Sequence, residues 1–209
     1  MKPILTAGSL LACHKSYHSR MQRLGDYIRV YDQALAPEIC AHLLATWQQQ
    51  AAQQQRNGAS VRQELANSAW TELDLAHTGD ANLQQMLGQQ LQSYFARYNQ
   101  ELGLTLPLSL PRGVDRWIVK RYAPGGGEGF QTHFDAVGPA CRRYLVYLWY
   151  LNDVAEGGAT RFVDLDIDIQ PRAGRLLMFH PHNASLPFPH APKMLRNFNP
   201  TSCHGGAGG

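Results

Sequence analysis

The stretch "RRYLVYLWYLN", residues 142–152, decides the fold class of this 209-residue chain. It is rich in aromatic and β-branched residues, and such residues favour strands over helices. The run is short and is followed by the turn-forming sequence "NDVAEGG", so it predicts one strand that ends in a turn. We therefore begin from a strand in the second half of the chain.

Three neighbouring segments have the same character. "DRWIVKRYA" (115–123) is again β-rich, "GATRFVDLDIDI" (158–169) alternates with a period of two, and "GRLLMF" (174–179) is a shorter, fully apolar strand. Pro-Gly or Gly-Gly pairs separate several of these segments. Successive short strands without intervening helices predict an antiparallel barrel or jelly roll, with earlier helices packed outside it.

Before residue 112 the pattern is mainly helical. Pro37 suits the first turn of a helix, and apolar residues follow at helical spacing at Ile39, Leu43 and Trp47. The glutamine-rich continuation has little to bury, so we predict a solvated helix end that runs into a loop at Asn57–Gly58.

A second helix is predicted to start after Asp80, whose carboxylate suits a helix cap. Its apolar residues form one stripe that predicts a packing surface: Leu83, Leu87, Leu91, Tyr94, Phe95 and Tyr98. The segment "LGLTLPLSLPRG" (102–113) alternates leucine with small residues and prolines, which predicts a linker or an edge segment.

Composition restricts the class of protein. Hydrophobic residues make up 44% and charged residues 17%, as is ordinary for a soluble globular domain. A net charge of +3 without a basic run argues against nucleic acid as a partner, and no apolar run approaches the roughly 20 residues of a membrane span. The cysteines lack zinc-finger spacing, which predicts a reduced, cytoplasmic setting with Cys40 as a small hydrophobe.

The segment "FQTHFDAVG" (130–138) places a histidine and an aspartate two positions apart. In an extended strand His133 and Asp135 would project from the same face. With a second histidine they would form the two-histidine, one-carboxylate set that leaves open positions on iron. In the alternative interpretation His133 bonds a loop carbonyl and Asp135 caps a turn. The motif alone does not decide between the two.

The surroundings of the motif favour the metal site. "RYAPGGGEGFQTHFD" (121–135), "RRYLVYLWYLNDVAEGGATRF" (142–162) and "PRAGRLLMF" (171–179) follow one another in this order. In these segments the chain resembles the prolyl 4-hydroxylase-like family of iron- and 2-oxoglutarate-dependent dioxygenases. The resemblance covers about residues 26–180, because "DYIRVYDQALAPEICAHLL" (26–44) also resembles the first strand and helix of that family.

The resemblance implies a mainly β fold with N-terminal helices, in which a double-stranded β-helix (jelly roll) is flanked by helices. It implies that His133 and Asp135 are catalytic iron ligands and that Tyr122 and Tyr150 line the 2-oxoglutarate pocket. For both tyrosines, packing in the barrel core is the alternative. It also implies hydroxylation of a C–H bond with release of succinate and CO2, and ascorbate as the reductant. A prolyl residue in a peptide or protein is the family-level substrate, and a small molecule is the other class.

Four regions follow from these patterns. We expect a poorly ordered N-terminus over residues 1–25, a supporting helical and strand region over 26–112, and the dioxygenase core over 113–180. The remainder, 181–209, is expected to be a divergent tail.

The tail departs from the family pattern. In "HPHNASLPFPHAPKMLRNFNPTSCHGGAGG" (180–209) no stretch alternates like a strand, and several prolines remove ladder donors. The family places its second iron histidine and a basic 2-oxoglutarate anchor in this region. His190, which lies 57 residues after His133 (190 − 133), is preferred over His182 as the third ligand. Lys193, at the interval expected from His182, is the predicted anchor.

This departure leaves two further hypotheses open. The native carboxyl terminus could have been replaced after about residue 179, and the chain could be a catalytically impaired dioxygenase-fold protein that has lost the distal ligand strand. A third reading is a cupin-like metal-binding or isomerase domain that does not use 2-oxoglutarate.

Overall fold

The structure, a computed structural model, describes residues 21–23, 25, 27–109, 116–123, 127–133, 145–180 and 193–198. The strands at 21–23 and 193–198 are described by their backbone. Of the N-terminus that is predicted to be poorly ordered, 1–25, residues 1–20 lie outside this part of the chain, whereas residues 21–23 form a strand.

Ten strands and two α-helices form the described part of the chain. In chain order they are β1 (Met21–Arg23), β2 (Arg29–Tyr31), α1 (Pro37–Gln49), β3 (Gln55–Gly58), β4 (Ala69–Asp74), α2 (Ala81–Leu102), β5 (Ile118–Arg121), β6 (Val146–Tyr150), β7 (Thr160–Phe162), β8 (Ile167–Ile169), β9 (Leu176–Phe179) and β10 (Lys193–Phe198). Eight of the strands form one antiparallel sheet in the order β1-β2-β9-β6-β10-β5-β4-β3, and β7 pairs with β8 separately. The predicted mainly β class with N-terminal helices is confirmed.

Strand β6 shows how the core is divided. All five of its residues are buried, and successive side chains point to opposite faces of the sheet. Tyr147 and Trp149 pack in a cluster with apolar residues of α1 and α2. Leu148 and Tyr150 pack in a second cluster with Phe162 of β7 and residues of neighbouring strands. The sheet is therefore covered by helices on one face and by the β7–β8 hairpin on the other. We call the second cluster the inner cluster.

Both helices follow the sequence pattern. Helix α1 begins at Pro37, and the side chain of Asp80 accepts a hydrogen bond from the backbone N–H of Leu83 at 2.9 Å at the start of α2. The predicted apolar stripe of α2 faces the core, with Tyr94 only partly buried. Within the described residues, no helix is both long and apolar enough to cross a membrane.

Cys40 confirms its predicted role as a small apolar residue. The side chain lies in the helix-side core, and burial raises the pKa of its thiol to about 11, so the thiol stays protonated at neutral pH.

Two local predictions were wrong. The segment after α1 does not continue as a helix end but turns through a 3-10 helix at Ala51–Gln53 and forms the edge strand β3. The polar sequence of β3, "QRNG", gives no alternation, and its partner β4 provides the pairing. The alternating segment 158–169 is not one strand, because a turn at Val163–Leu165 divides it into β7 and β8.

The tail also contains a strand, although no stretch of its sequence alternates like one. Strand β10 pairs with β5 on one side and with β6 on the other, and it begins directly after Pro192. Four of the five prolines of the tail therefore precede this strand in the sequence, and Pro200 follows it. Between two central strands, stabilisation comes from backbone pairing on both sides and does not require alternation.

Candidate metal and co-substrate site

His133 is the last residue of the described range 127–133, which follows β5. Its Nδ1 lies 2.7 Å from the carbonyl oxygen of Gln131. A carbonyl only accepts hydrogen bonds, so Nδ1 is the donor of this bond, and the neutral form of the ring that fits it is the one with its lone pair on Nε2. Metal-binding histidines commonly have this arrangement, in which a carbonyl fixes the tautomer and the ring orientation. The side chain therefore fits a metal ligand, although a carbonyl bond is also what the non-metal interpretation predicts.

The ring of His133 is the last member of a row of three rings, which we call the aromatic stack: Trp70, Phe130 and His133. The ring centroids of Phe130 and His133 are 4.2 Å apart, and those of Trp70 and Phe130 are 4.7 Å apart at an angle of 22°. Trp70 and Phe130 are buried members of the inner cluster. The stack therefore connects His133 to the interior of the domain.

A buried charge lies beside the aromatic stack. The Nζ of Lys120 is 4.3 Å from the centroid of Trp70 and 5.5 Å from that of Phe130, within the range of cation–π attraction. Glu72 Oε2 accepts a hydrogen bond from Trp70 Nε1 at 2.6 Å and lies 4.0 Å from Lys120 Nζ. This arrangement holds the indole of Trp70 both by its edge and by its face.

The two predicted co-substrate tyrosines share the inner cluster. Tyr122 and Tyr150 are both buried there together with Phe130, the residue that contacts His133. The hydroxyl of Tyr150 donates a hydrogen bond to Thr160 Oγ1 at 2.7 Å. The structure thus places Tyr122 and Tyr150 in the cluster that His133 contacts through Phe130, and it gives the Tyr150 hydroxyl a partner within the core.

The other predicted ligands lie outside the described residues. Asp135, His182 and His190 are in this category, and the side chain of Lys193 is too. Across the described ranges, no group of three His, Cys, Asp or Glu side chains is arranged to hold a metal ion. The complete ligand set of the sequence analysis therefore remains a prediction.

The backbone register of β10 places two cationic positions. Arg196 lies opposite Leu148 of β6, and Lys193 lies opposite Arg121 of β5. Paired positions of an antiparallel sheet belong to the same face, and positions separated by an odd number of residues belong to opposite faces. Because Leu148 and Tyr150 belong to the inner cluster, the register assigns position 196 to that face and position 193 to the helix-covered face.

Sequence reasoning missed the aromatic stack. Trp70 lies in the unpredicted strand β4, and its contact with Phe130 joins residues far apart in the chain. The available signal was weak: Trp70 and Thr71 are β-forming residues within a segment too short to show a clear period.

Comparisons with known proteins support the fold and match one family model over part of the chain. Residues 117–204 match the family model of the 2OG-Fe(II) oxygenase superfamily. No curated protein matches the chain. The match includes β10, so the family signal continues beyond residue 179, which counts against replacement of the carboxyl terminus after that point.

Three solved structures illustrate the similarity of fold. A Pseudomonas putida prolyl-4-hydroxylase is 19% identical with a TM-score of 0.60, covering 82% of this chain and 91% of that chain. The viral collagen prolyl hydroxylase of Paramecium Bursaria Chlorella virus-1 is 18% identical with a TM-score of 0.57, covering 83% and 95%. The non-haem alpha-ketoglutarate-dependent carbocyclase SnoK of nogalamycin biosynthesis is 13% identical with a TM-score of 0.56, covering 82% and 78%. At these identities the similarity shows a shared fold.

Proposed function

We propose that this chain is a dioxygenase that hydroxylates a C–H bond. The premise is that the chain belongs, through its match over residues 117–204, to the 2OG-Fe(II) oxygenase superfamily. One oxygen atom of O2 enters the new hydroxyl group and the other enters succinate, which forms from 2-oxoglutarate with loss of CO2. The observation that supports this most is the position of His133. Its Nδ1 is held by a carbonyl, and its ring contacts the cluster that contains Tyr122 and Tyr150.

The proposed iron ligands are His133, Asp135 and a histidine of the tail, with His190 preferred over His182. Iron(II) bound by these residues would supply the activation of dioxygen that drives the decarboxylation. The protein's contribution is to orient His133, to bind 2-oxoglutarate beside it and to keep water out of the apolar inner cluster. Ascorbate is the proposed reductant.

The inner cluster also supports the finer fold proposal, a double-stranded β-helix. Phe162 of the β7–β8 hairpin packs edge-to-face on Phe179 of β9, with ring centroids 5.0 Å apart. We propose that this hairpin is part of the second, smaller sheet of a jelly roll and that the 2-oxoglutarate pocket lies between the two sheets.

A prolyl residue of a peptide or protein is the proposed substrate class. Two of the proteins with a similar fold are prolyl hydroxylases. Small molecules are the second class, because a carbocyclase of nogalamycin biosynthesis has a similar fold. Reaction with a proline-containing peptide would distinguish the two classes.

The 2-oxoglutarate anchor is proposed to lie on β10. Lys193 is the residue predicted from the sequence, whereas the register of β10 favours Arg196, which lies opposite Leu148. An arginine can form two parallel hydrogen bonds with a carboxylate, which suits this role.

Tyr150→Phe tests whether the Tyr150 hydroxyl serves the co-substrate. If it does, we expect the KM for 2-oxoglutarate to rise about tenfold, as for loss of a hydrogen bond to a charged group. Loss of the bond to Thr160 should also cost about 1 kcal/mol of stability. The matched control is Tyr147→Phe, on the same buried strand but facing the helices, which should leave the KM unchanged. Equal KM values for both variants would make Tyr150 a packing residue only.

The proposed function is tested directly by anaerobic addition of Fe(II) and then 2-oxoglutarate to the purified chain. We expect a weak visible charge-transfer band that saturates near one equivalent of each. Folded protein that gives no band would contradict the proposal. If such protein still bound the metal, the cupin-like interpretation would be supported instead.

A further inference from the structure

Residues 127–133 are held from one side by β3, β4 and their connection, residues 55–74, which we call the β3–β4 ribbon. This ribbon lies outside residues 117–204, the part of the chain that carries the family match. Its contacts with residues 127–133 therefore join the matched region to residues that the family model does not cover.

The first contact is between backbones. Ala69 and Gly129 exchange two hydrogen bonds, from Ala69 N to Gly129 O and from Gly129 N to Ala69 O, each 3.0 Å long. This is an isolated antiparallel bridge beyond the end of the regular ladder. It fixes the segment at a point four residues before His133.

The second contact leads to the histidine ring. The hydroxyl Oγ of Ser68, a buried residue, accepts a hydrogen bond from the backbone N–H of Gln131 at 2.9 Å. The carbonyl of the same Gln131 accepts the hydrogen bond from His133 Nδ1 at 2.7 Å. A further bond, from Asn67 N to Gln131 Oε1 at 3.0 Å, adds to the hold on Gln131. Ser68 thus orients the residue that orients the imidazole.

The third contact is the aromatic stack. Trp70 supports Phe130, and Phe130 supports the His133 ring. The indole of Trp70 is itself fixed by Glu72 and Lys120, so it cannot turn without breaking a 2.6 Å hydrogen bond and a cation–π contact. The stack therefore restricts the rotation of the ring, while Ser68 restricts the backbone that carries it.

We propose that Ser68 and Trp70 are positioning residues that hold His133 in its metal-binding geometry before any metal arrives. The inference rests on the proposed function in one respect, namely that His133 is an iron ligand. A ligand that is already oriented loses less conformational entropy on binding, and partners of metal ligands commonly change metal affinity by about 10- to 100-fold. The β3–β4 ribbon would thus be part of the metal site without supplying a ligand.

The positioning role of Ser68 is tested with Ser68→Ala and Ser68→Thr. In metal-free protein, we expect Ser68→Ala to speed hydrogen exchange of the Gln131 amide and to leave the exchange of helix α2 unchanged. With Co(II) as the probe metal, the Kd of Ser68→Ala for Co(II) should be about tenfold higher than that of the wild type. Ser68→Thr keeps a hydroxyl acceptor and should retain most of the wild-type affinity.

The positioning role of Trp70 is tested with Trp70→Leu and Trp70→Phe, with Trp117→Leu as the matched control. Trp117 is also a buried indole, but it packs in the helix-side core with Tyr147 and Trp149. Both leucine variants should lower the Tm, because each leaves a large cavity. Only Trp70→Leu should raise the Kd for Co(II), by about tenfold, and Trp70→Phe should retain most of the affinity.

The outcomes separate this inference from the proposed function. Wild-type protein that binds Co(II), with Ser68→Ala and Trp70→Leu binding it equally well, would overturn the inference and leave the function intact. Equal losses of affinity in Trp70→Leu and Trp117→Leu would also overturn it, because the effect would then be general destabilisation. Wild-type protein that binds no metal would overturn both.

Discussion

Replacing Asp135 with alanine is expected to remove iron binding while the protein stays folded. Of the three proposed ligands, Asp135 alone carries a negative charge, and two neutral imidazoles hold a divalent ion far less tightly. A carboxylate placed to bind a cation contributes little to the apolar core, so the Tm should change by only a few degrees. We expect the Kd for Fe(II) to rise by about 100-fold or more. Equilibrium metal binding and thermal unfolding of the same preparation measure both effects.

The control for Asp135→Ala is Asp164→Ala. Asp164 is an exposed carboxylate in the turn between β7 and β8, so its loss should alter neither metal binding nor stability. If Asp135→Ala unfolds the protein and the parent holds no metal, Asp135 is a structural residue, as in the turn-capping interpretation of the motif. Parallel His182→Ala and His190→Ala variants assign the third ligand, and we expect only the second to lose iron.

The second large effect is expected on the KM for 2-oxoglutarate, from a substitution in β10. Arg196→Ala should raise the KM for 2-oxoglutarate by about 100-fold, the upper end of the loss of a charge-assisted pair of hydrogen bonds. Lys193→Ala should change it less than about threefold, because the register assigns position 193 to the opposite face of the sheet. Initial rates of succinate formation at varied 2-oxoglutarate concentration give both values.

The reverse result at β10 would have a specific meaning. A one-residue shift of a strand moves every side chain to the other face. A large effect of Lys193→Ala with none for Arg196→Ala would therefore show that β10 pairs with β5 and β6 in a shifted register, and it would restore the anchor predicted from the sequence. A variant with both residues changed to alanine should show no more than the larger single effect.

The elements predicted correctly have patterns that are visible within one segment. Strand β6 is a continuous buried run, and α2 has both a cap at Asp80 and a regular apolar stripe. Strands β3 and β10 were missed for the opposite reason. "QRNG" and "KMLRNF" have no alternation of their own, and what makes them strands is the neighbouring strand, which lies elsewhere in the chain.

The residues of the candidate site also fall into two groups, those that the local sequence predicts and those that it does not. His133 could be identified because histidine and aspartate stand two residues apart among recognisable turns and strands. Ser68 and Trp70 could not, because the bond from Gln131 to Ser68 joins residues 63 positions apart, and a serine or tryptophan in isolation indicates no partner. The ligand chemistry is local in the sequence, whereas the support of the ligand comes from the tertiary fold.

The most direct measurement is aerobic turnover of the purified chain with Fe(II), ascorbate, 2-oxoglutarate and a proline-containing peptide. We predict that succinate and CO2 form in a one-to-one ratio as 2-oxoglutarate is consumed, and that Asp135→Ala abolishes both products. A folded, iron-loaded chain that releases no succinate, with or without the peptide, would contradict the assignment of this protein as a 2-oxoglutarate-dependent dioxygenase.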